Sequence, residues 1–217
     1  MNKGISKKIK NFVIFGSGDN AKMIFWQIYK RKDLNFVGFV DNKKKIGTTI
    51  IKYKRKSFKV ISDEKKINKN YYGIISILDL KIRKKIFKNI NLFYKNFKWL
   101  SIVSDTAIIS KNSYIGNGTF LGPGSIVNPS TKIGANCFIN TGSIIEHDNN
   151  IGDFVVTGPG IITCGNVKID ESVFIGAGSI IKEKIIIEKN VVIGASSYVN
   201  KNCKRNKLYL GVPAKPK

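Results

Sequence analysis

From residue 109 to residue 199, one position in every six is apolar almost without exception. The series runs Ile109, Ile115, Leu121, Val127, Ile133, Ile139, Ile145 and Ile151, then Ile169, Ile175, Ile181, Ile187, Ile193 and Val199, with only Thr157 and Thr163 standing in register between. A helix repeats its apolar face every three to four residues and a strand every two, so neither accounts for this period. A β-solenoid does. Three hexapeptides close one triangular coil, and residues 18 apart then stack at the inter-strand spacing of about 4.8 Å. Sixteen consecutive slots give five coils or slightly more. Each coil hides its ladder only by stacking on its neighbours, so a run this long specifies the whole stack. Two positions before the ladder residues the chain is generally small or β-branched, as at Ser113, Thr119, Ser125, Thr131, Cys137, Ser143, Val155, Val167, Val173, Ser179, Val191 and Ser197, which marks a second inward site near a corner. Glycine often follows the ladder residue, at 116, 122, 134, 152, 158, 176 and 194, where it is expected to supply the backbone freedom of a tight turn.

Residues 1 to 100 have a different texture. "NFVIF" reads as a buried strand, "GSGDNAKMIFWQIYKR" as turn and helix, and "NFVGFVD" as a second strand. "YYGIISI" and the amphipathic "LKIRKKIFKNI" follow as strand and helix, so the order is that of a small parallel α/β unit. The Lys-rich "NKKKIGTTIIKYKRKS" between them reads as an exposed loop or hairpin, and "KWLSIVSDTA" as the link. The expected architecture is therefore α/β plus β-solenoid: a small Rossmann-like domain at 1–100 and the solenoid with its C-terminal tail at 101–217.

The formal charge of +24 raises the question of a polyanion partner. Its distribution argues against one: residues 1–105 carry 26 Lys and Arg against 7 Asp and Glu, residues 106–217 carry 12 against 7, and the lysines are scattered among Asn and Ile. No nucleic acid is expected, although the basic half favours anionic ligands such as nucleotides. Cys137, Cys164 and Cys203 are odd in number and in no CxxC spacing, so neither a disulfide framework nor a metal site is expected. The opening "MNKGISKKIKNFVIFGSG" has too short an apolar run for a signal, and no stretch reaches a membrane span, which points to a cytoplasmic protein.

Two stretches can carry chemistry. In "FGSGDNAK", Gly16 and Gly18 follow a strand and open a helix, where backbone N–H groups meet a phosphate. Ala21 fills the third small position and Asp41 ends the next strand, within reach of a ribose or base. The domain holds only half of a dinucleotide fold, which favours a mononucleotide over NAD. The second stretch, "SIIEHDNNIGDF", contains His147, the single histidine of the chain, between Glu146 and Asp148. Two residues beyond the inward Ile145, the imidazole should leave the coil at a corner, where an adjacent carboxylate orients it. Gly165, 18 residues on, is expected to leave a passage for a ligand beneath the ring. The tail "YLGVPAKPK", broken by Gly211, Pro213 and Pro216, reads by itself as a frayed end.

Taken together, "FGSGDNAK", "FVD", the hexapeptides, "NTGSIIEHDNNIGDF", "CGNVKI" and "GVPAK" resemble the sialic-acid O-acetyltransferase and bacterial nucleotide-aminosugar N-acetyltransferase family, of the bacillosamine-pathway type. The resemblance implies a homotrimer of left-handed parallel β-helices, with active sites between subunits and acetyl-CoA along the coils as cosubstrate. It implies His147 as general base supported by Asp148, and Asn140 and Thr141 facing the sugar. Gly165, Ala177 and Ala195 would be small positions beside CoA, the "GVPAK" tail would close near the pantetheine or nucleotide end, and Gly16, Ser17, Gly18 and Asp41 would meet the nucleotide. Three departures stand out. Val155 and Val156 replace a histidine that often follows "DF", Asp19 and Asn20 replace the end of "GGHAK", and Leu78 replaces a small glycine.

The expected reaction is direct transfer of acetyl to the amine of a nucleotide-linked amino-deoxy sugar, a 4-amino-4,6-dideoxy sugar in surface glycan synthesis. Free imidazole, with a pKa of about 6.5, suits that proton transfer near neutral pH. No second histidine is available to activate Cys164, so a covalent acyl-cysteine route is not expected. The competing readings are a sugar hydroxyl as acceptor, as in sialic-acid O-acetylation, a non-catalytic solenoid binding polyanions, and, more remotely, an NAD-linked enzyme built on "GSGDNA".

Overall fold

The structure, a computed structural model, describes residues 9–217. The basic residues that open the chain lie outside the described residues. Contacts divide the chain into two units, one running through Ile77 and resuming at Lys85–Leu100, the other comprising Leu78–Lys84 and Ser101–Lys217.

In the first unit, β1 (Lys10–Phe15), β2 (Leu34–Val40), β3 (Thr49–Tyr53), β4 (Lys56–Ser62), β5 (Tyr72–Ile75) and β6 (Lys98–Trp99) form one sheet in the order β3-β4-β2-β1-β5-β6. Every pairing is parallel except the β3–β4 hairpin. Strand β1 lies between two neighbours, so Phe12, Val13, Ile14 and Phe15 are all buried, the continuous apolar run that a strand covered on both faces requires. Helix α1 (Asp19–Ile28) buries Ala21, Ile24, Phe25 and Ile28, the i, i+3, i+4, i+7 stripe of an amphipathic helix. Phe25 lies 4.5 Å from Phe58 and 5.2 Å from Phe36, ring centre to ring centre. Helix α2 (Leu80–Phe93) gives Ile86 and Ile90 to a second cluster with Val13, Phe15, Val40, Ile75 and Phe97.

The Lys-rich stretch is the hairpin end of this sheet, and its second strand continues into parallel pairing with β2, which the lysine run concealed. "KWLSIVSDTA" is less a linker than two strand ends: Lys98–Trp99 closes the first sheet, and Ile102–Val103 opens the solenoid.

The second unit is a parallel β-solenoid. Short strands stack in three sheets of eight, six and five strands, and from Ile102 to Val199 they keep an 18-residue register: Ile126 on Ile144, Val127 on Ile145, Ile133 on Ile151. The ladder from Leu121 to Val199 is buried throughout, Thr157 and Thr163 included. Each buried aliphatic side chain contributes about 1.5–3 kcal/mol, so the repeat that defines the coil also stabilises it.

The glycines that follow the ladder have a different reason from the one expected. None of Gly116, Gly122, Gly134, Gly152, Gly158, Gly176 or Gly194 has positive φ. Instead, a Cβ at Gly116, Gly158 or Gly176 would lie 2.3–2.5 Å from backbone of the next coil. Close approach between coils excludes a side chain there. The left-handed residues come two positions later, where Gly118, Gly124, Gly142, Gly160 and Gly178 share the register with Asn136, Asp148, Asn166 and Asn190, and also with Ser130, Phe154, Ser172, Lys184 and Ser196. Asn, Asp and Gly tolerate this region best.

The tail is ordered rather than frayed. Leu208–Leu210 adds in parallel to Val192–Ile193, and Lys215–Pro216 returns antiparallel, across a cis Val212–Pro213 bond. Ala214 N–H donates to the Tyr198 carbonyl at 2.8 Å. Among the described residues no helix is long and apolar enough to cross a membrane.

Candidate active site

The glycine-rich turn lies between β1 and α1. Gly16 has φ +95°, and a Cβ there would press on Ser76 and Ile77, so the position is restricted to glycine twice over. Gly18 caps α1 with extended backbone and no side-chain hydrogen bond, and a Cβ there would meet nothing within 4 Å. The Ala21 and Lys22 N–H groups donate to the Gly18 carbonyl at 3.1 and 3.2 Å, and the end of the helix carries no side-chain cap. Ser17 is buried, and its Oγ donates to Asp41 Oδ2 at 2.5 Å. Asp41 Oδ1 accepts the backbone N–H of Lys43 at 2.8 Å and of Lys44 at 3.3 Å, while Lys44 Nζ donates to the Ser17 carbonyl at 3.2 Å. Gly16, Ser17, Gly18 and Asp41 thus form one constellation. The carboxylate's first task is to bind the two loops together, and Lys44, which the motif did not flag, places a cation at the same turn. Asp19 is fully solvated and pairs with Lys22 at 3.0 Å.

His147 stands at a solenoid corner, its side chain 53% exposed, with Nδ1 2.8 Å from Asp148 Oδ2. A neutral ring that donates from Nδ1 to this carboxylate carries its lone pair on Nε2. Asp148 is itself the left-handed residue of the corner, with φ +57°, so one side chain serves the turn and the imidazole together. Gly165 leaves no passage under the ring. An ideal Cβ at Gly165 would lie 2.6 Å from His147 Cε1 and 2.7 Å from Nε2, so the imidazole itself occupies the space that the missing side chain vacates. Gly165 is the seat of His147.

Asn140 and Thr141 belong to the preceding corner. Asn140 is buried, its N–H donates to Thr157 Oγ1 at 2.9 Å, and its Oδ1 accepts the Thr141 N–H at 2.8 Å. Thr141, Pro159, Ala177 and Ala195 stack at 18-residue intervals along that edge, tied by Gly160 N to Thr141 O and Ser196 N to Ala177 O. The candidate residues of the solenoid therefore occupy two edges, the Asn140–Thr141–Ala177–Ala195 edge and the His147–Gly165 edge. Between them runs the sheet containing Ile144–Ile145. Its outward positions form an apolar stripe of Ile108, Ile126, Ile144, Ile162, Ile180 and Tyr198, with Ile108 63% and Ile180 40% exposed. The equivalent stripe of the five-stranded sheet is interrupted by Lys132, Asn150 and Lys168.

Both threonines that interrupt the ladder serve these corners, Thr157 under Asn140 and Thr163 under the His147 turn, through the buried amide of Asn149. Val155 and Val156 are both buried and place nothing polar at their position. Leu78 lines a cavity of about 680 Å³ in the second unit with Leu80, Lys84, Phe174 and Val192. All three cysteines are free, and burial pushes the thiols of Cys137 and Cys203 up to about 12, which disables both as nucleophiles.

Residues 11–90 match the PglD N-terminal domain, residues 112–147 the bacterial transferase hexapeptide (six repeats), and residues 166–201 the hexapeptide repeat of succinyl-transferase. The chain thus joins a segment similar to the PglD N-terminal domain to segments similar to transferase hexapeptide repeats. No curated protein sequence matches it. Among solved structures, the acetyltransferase domain of PglB from Neisseria gonorrhoeae FA1090 aligns with a TM-score of 0.86 at 21% identity, over 96% of this chain and 100% of that one. PerB from Caulobacter crescentus, in complex with CoA and GDP-perosamine, aligns with a TM-score of 0.82 at 23% identity, over 96% and 98%. WeeI from Acinetobacter baumannii AYE aligns with a TM-score of 0.77 at 22% identity, over 96% and 100%. These likenesses establish a common fold, a small α/β domain followed by a parallel β-solenoid.

Proposed function

We propose that this protein transfers the acetyl group of acetyl-CoA to the amino group of a nucleotide-linked amino-deoxy sugar, with His147 as general base. The observation that carries the reading is the exposed imidazole whose Nδ1 is held by Asp148, leaving Nε2 to take a proton. The amine nitrogen attacks the thioester carbonyl carbon as its proton passes to Nε2. The C–S bond then breaks, and the CoA thiolate leaves and is protonated. The protein's part is to orient the reactants and place the base, which is where most of the acceleration in such a transfer arises. Relatives in fold support the substrate class, since PerB was solved with CoA and GDP-perosamine and the PglB domain with acetyl coenzyme A.

The glycine-rich turn, with no side-chain cap on its helix N-terminus and with Lys44 beside it, suits the diphosphate of one nucleotide. Thermal melting tests this part: UDP, GDP or dTDP is expected to raise Tm as mass action requires, by an amount that grows with ligand concentration. A response confined to free or CMP-linked sialic acid would point instead to a hydroxyl acceptor.

The Ile stripe supports a homotrimer. Isoleucines in a continuous outward row are what a protein interface buries, and a cyclic assembly sets one edge of such a face against the opposite edge of the next copy. The His147 edge of one subunit would then meet the Asn140–Thr141 edge of its neighbour. Sedimentation is expected to give the mass of three chains, and Ile144→Glu, which puts a charge in the middle of the stripe, is expected to give monomers without acetyl transfer. A monomeric wild-type protein would contradict the shared site.

A further inference from the structure

We infer that Asn149 is a positioning residue, a buried amide that holds the turn of His147 onto the turn of Gly165; the inference rests on the proposed role of His147. Asn149 stands two positions before Ile151, at the inward site that elsewhere carries Ala, Ser, Thr, Cys, Val or Ile, and it is 1% exposed. Its Nδ2 lies 2.6 Å from the Glu146 carbonyl, 3.0 Å from the Cys164 carbonyl and 3.1 Å from Thr163 Oγ1, and its Oδ1 accepts the Val167 N–H at 2.7 Å. Glu146 immediately precedes His147, and Cys164 immediately precedes Gly165. A single planar group therefore ties the residue before the imidazole to the residue before its seat. From the other side, Thr131 Oγ1 donates to the same Glu146 carbonyl at 2.7 Å and accepts the Asn149 N–H at 3.3 Å.

Stacking of the coils does not need this amide. Val167, Val173 and Val191 fill the same register with no polar atom, and a buried amide is tolerated only when its donors and acceptor are met. Here they are met entirely by the backbone and one hydroxyl around the two turns. Thr119 supplies an internal reference. Its Oγ1 donates to the Gly134 carbonyl at 2.8 Å and accepts the Cys137 N–H at 3.0 Å, the pattern of Thr131, under a corner that carries no candidate residue.

The test compares Asn149→Ser, Thr131→Val, Thr119→Val and His147→Ala in the full chain by steady-state acetyl transfer. Serine stands at the same inward site at positions 125, 143, 179 and 197, so Asn149→Ser is compatible with the coil. A base displaced by a fraction of an ångström to an ångström is expected to lower kcat about 10- to 100-fold. KM for both substrates should stay within about threefold, because the loss falls on the chemical step. Thr131→Val is expected to lower kcat in the same sense by less, and Thr119→Val to keep the wild-type kcat whatever it does to Tm. Wild-type kcat in Asn149→Ser, or an equal loss in Thr119→Val and Thr131→Val, overturns the inference. The threonine pair decides it even if Asn149→Ser does not fold. An active His147→Ala overturns the base assignment and this inference with it, whereas an inactive His147→Ala beside a fully active Asn149→Ser overturns this inference alone.

Discussion

His147→Ala is expected to lower turnover by about 10²- to 10⁴-fold, the range that removal of a positioned general base produces. The fold should not respond. The side chain is half-exposed and bonds only to Asp148, and surface substitutions of this kind shift stability by no more than about 0.5 kcal/mol. The KM for acetyl-CoA should change little, since proton abstraction strengthens only as the amine attacks. Equal melting temperatures for wild type and variant, with kcat reduced, would assign the loss to chemistry rather than to unfolding.

Gly165→Ala is expected to cost kcat about 100-fold through geometry alone. The added methyl would lie 2.6 Å from Cε1 of His147, closer than such atoms approach, and the half-exposed ring has solvent into which it can turn. Stability should therefore change by less than about 1 kcal/mol, because the neighbour that yields is a side-chain tip rather than backbone. The split between kcat and KM separates two roles for this glycine. Loss of the imidazole's seat lowers kcat, whereas a glycine needed only for close passage of CoA would raise KM for acetyl-CoA and leave kcat near wild type.

The solenoid was legible because its period is a property of the sequence itself. Every sixth residue from Leu121 to Val199 is buried, and the 18-residue stacking follows from three strands per coil. What the period leaves open is how neighbouring coils touch. Gly176 follows the ladder and reads as a turn glycine, yet its φ is ordinary and Ala195 N would lie 2.3 Å from its Cβ. Gly165 reads as room for a ligand, and the room is filled by His147. Asn149 passes unremarked at a register that is otherwise small or β-branched, and only the folded coil shows that one amide reaches four partners on two turns. Arg83 is the matching case on α2. An arginine on an amphipathic helix reads as solvated, but it is fully buried, donates to the Asn136 and Cys137 carbonyls at 2.9 and 3.3 Å, and is pulled down to about 10 by desolvation. In each instance the deciding partner is distant in sequence or one coil away, where local propensity carries no information.

In the candidate site the same division holds. The Gly16–Gly18 turn and the His147–Asp148 pair follow from local spacing, and the structure brings each together. That the solenoid residues fall on two edges of one Ile-lined face follows only from the triangular coil. The face itself, Ile108, Ile126, Ile144, Ile162 and Ile180, one position before the inward ladder, emerges as one row only when the coils are stacked.

The central claim is tested most directly by mass spectrometry of wild-type protein and His147→Ala incubated with acetyl-CoA and UDP-, GDP- and dTDP-linked 4-amino-4,6-dideoxy sugars. The expected result is one acetylated sugar nucleotide from the wild type, its acetyl group resistant to hydroxylamine as an amide is, with free CoA released in equal amount and product from His147→Ala reduced at least about 100-fold. Hydroxylamine-labile product, no transfer to any amine in the set, or equal product from both proteins would contradict it.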